Sequence, residues 1–70
     1  MLTTISSEMI GANLKRLIKE SKYRTQENFA YAFGCDPRTL RRWLKDGIDS
    51  ISDINRCATI LDVDVMALLF

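Results

Sequence analysis

Four cations recur along one line of a short segment: Arg38, Arg41, Arg42 and Lys45 stand at i, i+3, i+4 and i+7. At about 3.6 residues per turn, positions so spaced share one face of a helix. Leu40, Trp43 and Leu44 then fall on the opposite side. Such a helix can be pinned by its apolar side while its cationic side is offered to a polyanion. Arginine adds more than charge, because its planar fork matches the O6 and N7 acceptors of guanine in a major groove. A good pair of that kind is worth roughly 1–3 kcal/mol of discrimination. The chemistry indicated is recognition of DNA.

Other chemistries find little footing. The chain holds no histidine and only two cysteines, Cys35 and Cys57, with no C-x-x-C pair. That removes nearly all zinc-site spacings, and we expect no metal and no cofactor. Both cysteines are expected to be reduced and to act as small buried hydrophobes. With no nucleophile beside a base and no glycine-rich phosphate loop, an enzyme is not expected.

Seventy residues suffice for a single domain, here residues 1–70, near the lower size at which an apolar core holds without staples. An apolar share of 47% and a charged share of 27% are ordinary for a globular chain. No apolar run approaches the roughly 20 residues a bilayer requires. The opening M-L-T-T-I-S-S-E lacks a basic cluster followed by an apolar stretch. A cytoplasmic protein is the expectation.

The net charge of +1 hides a segregation. Residues 15–45 carry nine cations against three anions, a balance of +6, whereas residues 46–70 hold Arg56 against five aspartates. A basic pole opposed by an acidic one can orient in the field of a polyanion even at low net charge. For Lys15, Arg16, Lys19 and Lys22 the plainer reading is the solvated outer face of a helix.

The elements that must position these residues are legible as five helices. Ser6 or Ser7 can cap the first, whose buried stripe is Ile10, Leu14, Leu17 and Ile18 and whose end falls near Ser21 or Lys22. Thr25 caps the second, with Phe29, Ala30 and Phe33 inward, and Gly34 stops it by taking a left-handed conformation. Asp36 followed by Pro37 starts the third, which Gly47 ends. Ser50, with Asp53 three residues on, starts the fourth, expected to bury Ile51, Ile54, Cys57, Ala58 and Leu61. Asp64 caps a last short helix with Val65, Leu68 and Leu69 inward, and no alternating strand of useful length is present. The phase of Trp43 places it in the core and not on a base-stacking surface. Tyr31 lies off the inner stripe of its helix and is expected either to pack while partly exposed or to meet a phosphate. Met66 and Phe70 are expected to complete the core or to join a dimer contact.

With the elements in place, the chain resembles the phage-repressor and Cro-like helix-turn-helix proteins, the XRE family. Three blocks in order carry the resemblance: I-G-A-N-L-K-R-L, T-Q-E-N-F-A-Y-A-F-G-C-D-P-R-T-L-R-R-W-L and S-I-S-D-I-N-R-C-A-T-I-L-D-V. It implies an all-α, compact five-helix domain of the lambda-repressor-like type, the motif spanning about residues 25–46. It also implies that Gln26 holds a phosphate at the start of the second helix, and that Pro37, Arg38 and Arg42 reach base edges. Arg41 and Lys45 would meet phosphates, and Thr39 would touch backbone or support the helix turn.

Three departures from the family pattern stand out. Ile18 and Leu44 replace an arginine and a glutamate that pair inside many relatives, so an apolar contact between them is expected in place of the bridge. The linker around Tyr23 and Arg24 is one residue longer and lacks the customary glycine. Gly47 falls a residue late.

The function implied is sequence-specific double-stranded DNA binding by a transcriptional regulator, a repressor, acting as a homodimer on a palindromic operator. Two alternatives stay open: an antitoxin-type autoregulator, and a helical protein-protein interaction module served by the acidic pole of Asp49, Asp53, Asp62 and Asp64.

Overall fold

The computed structural model describes residues 5–70; Met1–Thr4, on which part of the signal-peptide reading rests, lie outside the described residues. Five helices follow one another among them: α1 Ser7–Glu20, α2 Gln26–Phe33, α3 Pro37–Asp46, α4 Ile51–Leu61 and α5 Met66–Leu69. The protein is thus all-α.

Each start is set by a short polar side chain that satisfies an amide the helix leaves free. Ser6 Oγ accepts from the Met9 N–H at 3.1 Å, Thr25 Oγ1 from Asn28 at 3.2 Å, Asp36 Oδ1 from Arg38 at 2.8 Å and Ser50 Oγ from Asp53 at 3.4 Å. Asp64 serves α5 the same way, its Oδ1 accepting from the Met66 N–H at 2.9 Å. Gly34 ends α2 at φ 87°, and both its N–H and that of Cys35 turn back to the Ala30 carbonyl.

α1 runs through the centre, packed on α2, α3 and α5, while α4 closes the far side against α2 and α5. Its buried stripe is Ile10, Leu14 and Ile18, with Leu17 half-buried. Phe29, Ala30 and Phe33 of α2, Leu40 and Trp43 of α3, and Ile54, Cys57, Ala58 and Leu61 of α4 complete the core with Leu68. Each large apolar side chain so buried contributes roughly 1.5–3 kcal/mol. The aromatic rings interlock, Phe33 lying 5.2 Å from Trp43 in an edge-to-face arrangement and 6.1 Å from Phe29. The Asn13 side-chain amide donates to the Leu68 carbonyl at 2.8 Å and ties α5 to α1.

Four expectations need correction. Ile51 is 77% exposed and takes no part in the core of α4. It is the first residue of that helix, and because Cβ atoms tilt toward the N-terminus its side chain projects past the helix start. The loop delivers Ile48 to the core instead, at 3% exposure. Tyr31 is 90% exposed, so it does not pack. Met66 and Phe70 remain about half exposed, at 53% and 49%, and do not complete the core. Of the two cysteines only Cys57 is fully buried; Cys35 is half-buried at the edge of the core, and both are free thiols.

Candidate nucleic-acid interface

The position of α3 is fixed from its apolar side. Leu40 is fully buried, Trp43 is 6% exposed against Phe33, and Leu44 is half-buried against the same core that takes Ile18. Backbone contact makes the fit closer still. A Cβ on Gly11 of α1 would stand 2.6 Å from the Leu44 carbonyl oxygen and 2.7 Å from that of Trp43, so only glycine lets α1 lie against the last turn of α3. Gly47, at φ 93°, lies directly against the Ser7 backbone, where a Cβ would collide with the Ser7 carbonyl. The late glycine therefore closes α3 onto the start of α1.

The opposite face of α3 is open. Pro37, Arg38, Arg41, Arg42 and Lys45 are exposed, and Thr39 is half-buried. The row divides into two flanks. Arg41 and Lys45 border a shallow concavity of about 330 Å³ whose other walls are Leu44, Lys15 of α1 and Gln26 at the start of α2. Gln26, half-buried, is thereby brought beside the two cations assigned to phosphates. Arg42 lies on the other flank, around a second depression shared with Ser7, Trp43, Asp46, Gly47 and Asp49. Arg42 is exposed as a residue, with Asp46 and Asp49 on the same rim.

Lys15 was missing from the site as the sequence presents it, where it reads as part of a solvated helix face. The excess of positive charge over residues 15–45 was the signal available; that α1 passes beside Gln26 was not.

The loop before α2 holds the other departure. Arg24 takes φ 65°, a left-handed conformation that a side chain enters at a cost of roughly 1–2 kcal/mol. This is where the customary glycine is lacking. The loop is secured around it: Ser21 Oγ donates to the Ile18 carbonyl at 2.7 Å, and the Asn28 amide donates to the Tyr23 carbonyl at 3.0 Å. Tyr23 packs edge-to-face on Phe29 at 5.8 Å.

Among the described residues no group of acidic, cysteine or histidine side chains is placed to hold a metal ion. The arrangement of α2 and α3 is one of binding: a fixed helix with an exposed cationic row beside the amide-rich start of another.

No family model matches the chain, and no curated protein does. Among solved structures it is similar to the restriction-modification controller protein C.AhdI from Aeromonas hydrophila, with 26% identity and a TM-score of 0.75 over 87% of this chain and 92% of that one. The chain thus shares the helix-turn-helix fold of that controller protein, and its three sequence blocks resemble those of the phage-repressor and Cro-like (XRE) proteins.

Proposed function

We propose that the chain is a cytoplasmic transcriptional regulator, a repressor, that binds double-stranded DNA sequence-specifically by laying α3 in the major groove. The observation that carries this reading is the exposed row of Arg38, Arg41, Arg42 and Lys45 on a helix whose other side is locked by Leu40 and Trp43. In this reading Pro37, Arg38 and Arg42 meet base edges, Arg41, Lys45 and Gln26 meet phosphates, and Thr39 touches the DNA backbone or supports the helix turn. The likeness to C.AhdI, a controller protein, supports a regulatory task.

A single α3 of 10 residues reads few base pairs. The reading therefore includes a homodimer on palindromic half-sites about one helical turn, roughly 34–36 Å, apart. The half-exposed Met66 and Phe70 supply apolar surface for such a contact. Selection of duplexes from a random pool, followed by titration of the winner across salt concentrations, tests the proposal. It expects a two-fold-symmetric consensus and a steep loss of affinity with salt. Binding indifferent to both sequence and salt would sink it. A second reading, a helical protein-interaction module, draws on the exposure of Tyr31 and Ile51; binding through such apolar side chains would change little with salt.

A further inference from the structure

The exposed side of α3 is not cationic throughout. Arg38, Arg42 and Asp46 stand at i, i+4 and i+8, so the line that begins with two arginines ends in a carboxylate. Asp49 joins it from outside the helix. Gly47 turns the chain against Ser7, Ile48 is drawn into the core, and Asp49 emerges on the rim of the depression, about 330 Å³, that Arg42 and Asp46 share. On the other flank, the walls of the hollow beside Arg41 and Lys45 include Lys15 and, among the described residues, no acid. We propose that Asp46 and Asp49 are positioning residues for sequence recognition, which hold the Arg42 side chain on the base-reading line and keep phosphates off that flank of α3. The inference rests on the DNA-binding reading and deepens it, adding two anions to the residues that set specificity.

An arginine on an exposed helix has two destinations on a duplex, and only one carries information: phosphates are alike at every step, whereas the O6 and N7 acceptors belong to guanine. A guanidinium has five N–H donors, of which a bidentate contact to guanine uses two. The others are free to face a carboxylate one turn further along the helix. The two acids also act at longer range, since exposed charges interact over about 10 Å at ordinary salt. One flank of α3 sets two carboxylates against the single Arg42, while the other presents Lys15, Arg41 and Lys45. The duplex backbone is therefore drawn to the second flank, and Arg42 is left to the bases. The place of Asp46 points the same way. It is the last residue of α3, where the negative end of the helix dipole favours a cation over an acid, so helix stability does not account for it.

The experiment uses the full chain, the duplex selected from a random pool and a scrambled duplex of the same length. Both are titrated with the parent, with Asp46→Asn/Asp49→Asn, with Arg42→Ala, with the variant that combines all three changes, and with Asp62→Asn, a charge control at the far end of α4. Asp46→Asn/Asp49→Asn is expected to bind the scrambled duplex more tightly and to lower the ratio of the two affinities by about 3- to 10-fold, within the range of coupling between neighbouring side chains. In the Arg42→Ala background the same pair of changes is expected to leave the ratio within about 2-fold, because no arginine remains to be held. Asp62→Asn is expected to keep the parent's ratio. Thermal melting of Asp46→Asn/Asp49→Asn should stay at or above that of the parent, since an acid has left the negative end of α3, and lost folding would do the opposite. An unchanged ratio in Asp46→Asn/Asp49→Asn, or an equal fall without Arg42 or in Asp62→Asn, overturns this proposal with the DNA-binding reading intact. If the parent itself discriminates between no duplexes, both fall together.

Discussion

The guanidinium of Arg56 lies 4.5 Å from the centre of the Phe33 ring and donates a 2.9 Å hydrogen bond to the Phe33 carbonyl. That carbonyl belongs to the last turn of α2, where helices leave acceptors unpaired and where positive charge is favoured. The one cation of the acidic C-terminal part thus clamps α4 onto α2, just before the turn that leads to α3. Arg56→Ala is expected to destabilise the fold by about 1–2 kcal/mol, from the lost charged hydrogen bond and ring contact. Urea denaturation measures this, and the preference among duplexes should stay that of the parent.

The three positions where glycine meets different surroundings give a graded prediction. Gly34 has φ 87° with open space around its missing Cβ, so Gly34→Ala carries only the conformational cost, about 1 kcal/mol. Gly11→Ala meets the backbone of Trp43 and Leu44 and should cost about 1–3 kcal/mol, the range for forced overpacking. Gly47→Ala combines a positive φ with collision against Ser7 and should be the worst of the three. Denaturation midpoints compared across the series check the order. A Gly47→Ala protein as stable as Gly34→Ala would contradict the packing of α3 against α1.

For the recognition row, Arg38→Ala or Arg42→Ala should each cost roughly 1–3 kcal/mol and relax base preference at one position, whereas Lys45→Ala should weaken all sequences alike. Fluorescence anisotropy on duplexes varied one base pair at a time separates the two patterns. Uniform loss for Arg38→Ala and Arg42→Ala would reassign both to phosphates.

Burial pushes the Cys57 thiol from its ordinary 9.0 up to about 12, with the Asp53 carboxylate adding to the shift. The fold therefore holds the protonated thiol, whereas the unfolded chain releases the proton near pH 9. This contribution to stability is whole below about pH 9 and is lost progressively as pH rises toward 12. Denaturation at stepped alkaline pH should show a steeper decline for the parent than for Cys57→Ala. Equal slopes would place the thiol in contact with solvent.

The caps at Ser6, Thr25, Asp36 and Ser50 and the stop at Gly34 depend on interactions within a few residues, so local sequence sufficed to place the helix ends. Periodicity likewise assigned Leu40 and Trp43 inward and the arginines outward. It failed for Ile51, and although it set Tyr31 off the inner stripe it could not show that nothing packs on that side. Phase indicates which side of a helix a residue occupies, but it does not show whether another element covers that side. Ile48 escaped for the converse reason: a lone apolar residue in a loop carries no period, and only the path of the chain beyond Gly47 brings it to the core.

The amino-acid order alone determined five helices, the turn between α2 and α3, and the separation of apolar from cationic faces on α3, because each depends on contacts within one or two helical turns. Tertiary structure decided what lies beside that cationic face. Lys15 and Gln26, separated along the chain, become walls of one hollow with Arg41 because α1 can lie against α3 only where Gly11 permits the approach. Arg42 shares its rim with Asp46 and Asp49 because the chain leaving Gly47 folds back over Ser7. Local propensity contains no term for such meetings; they follow from how the buried faces of the helices close over a single core.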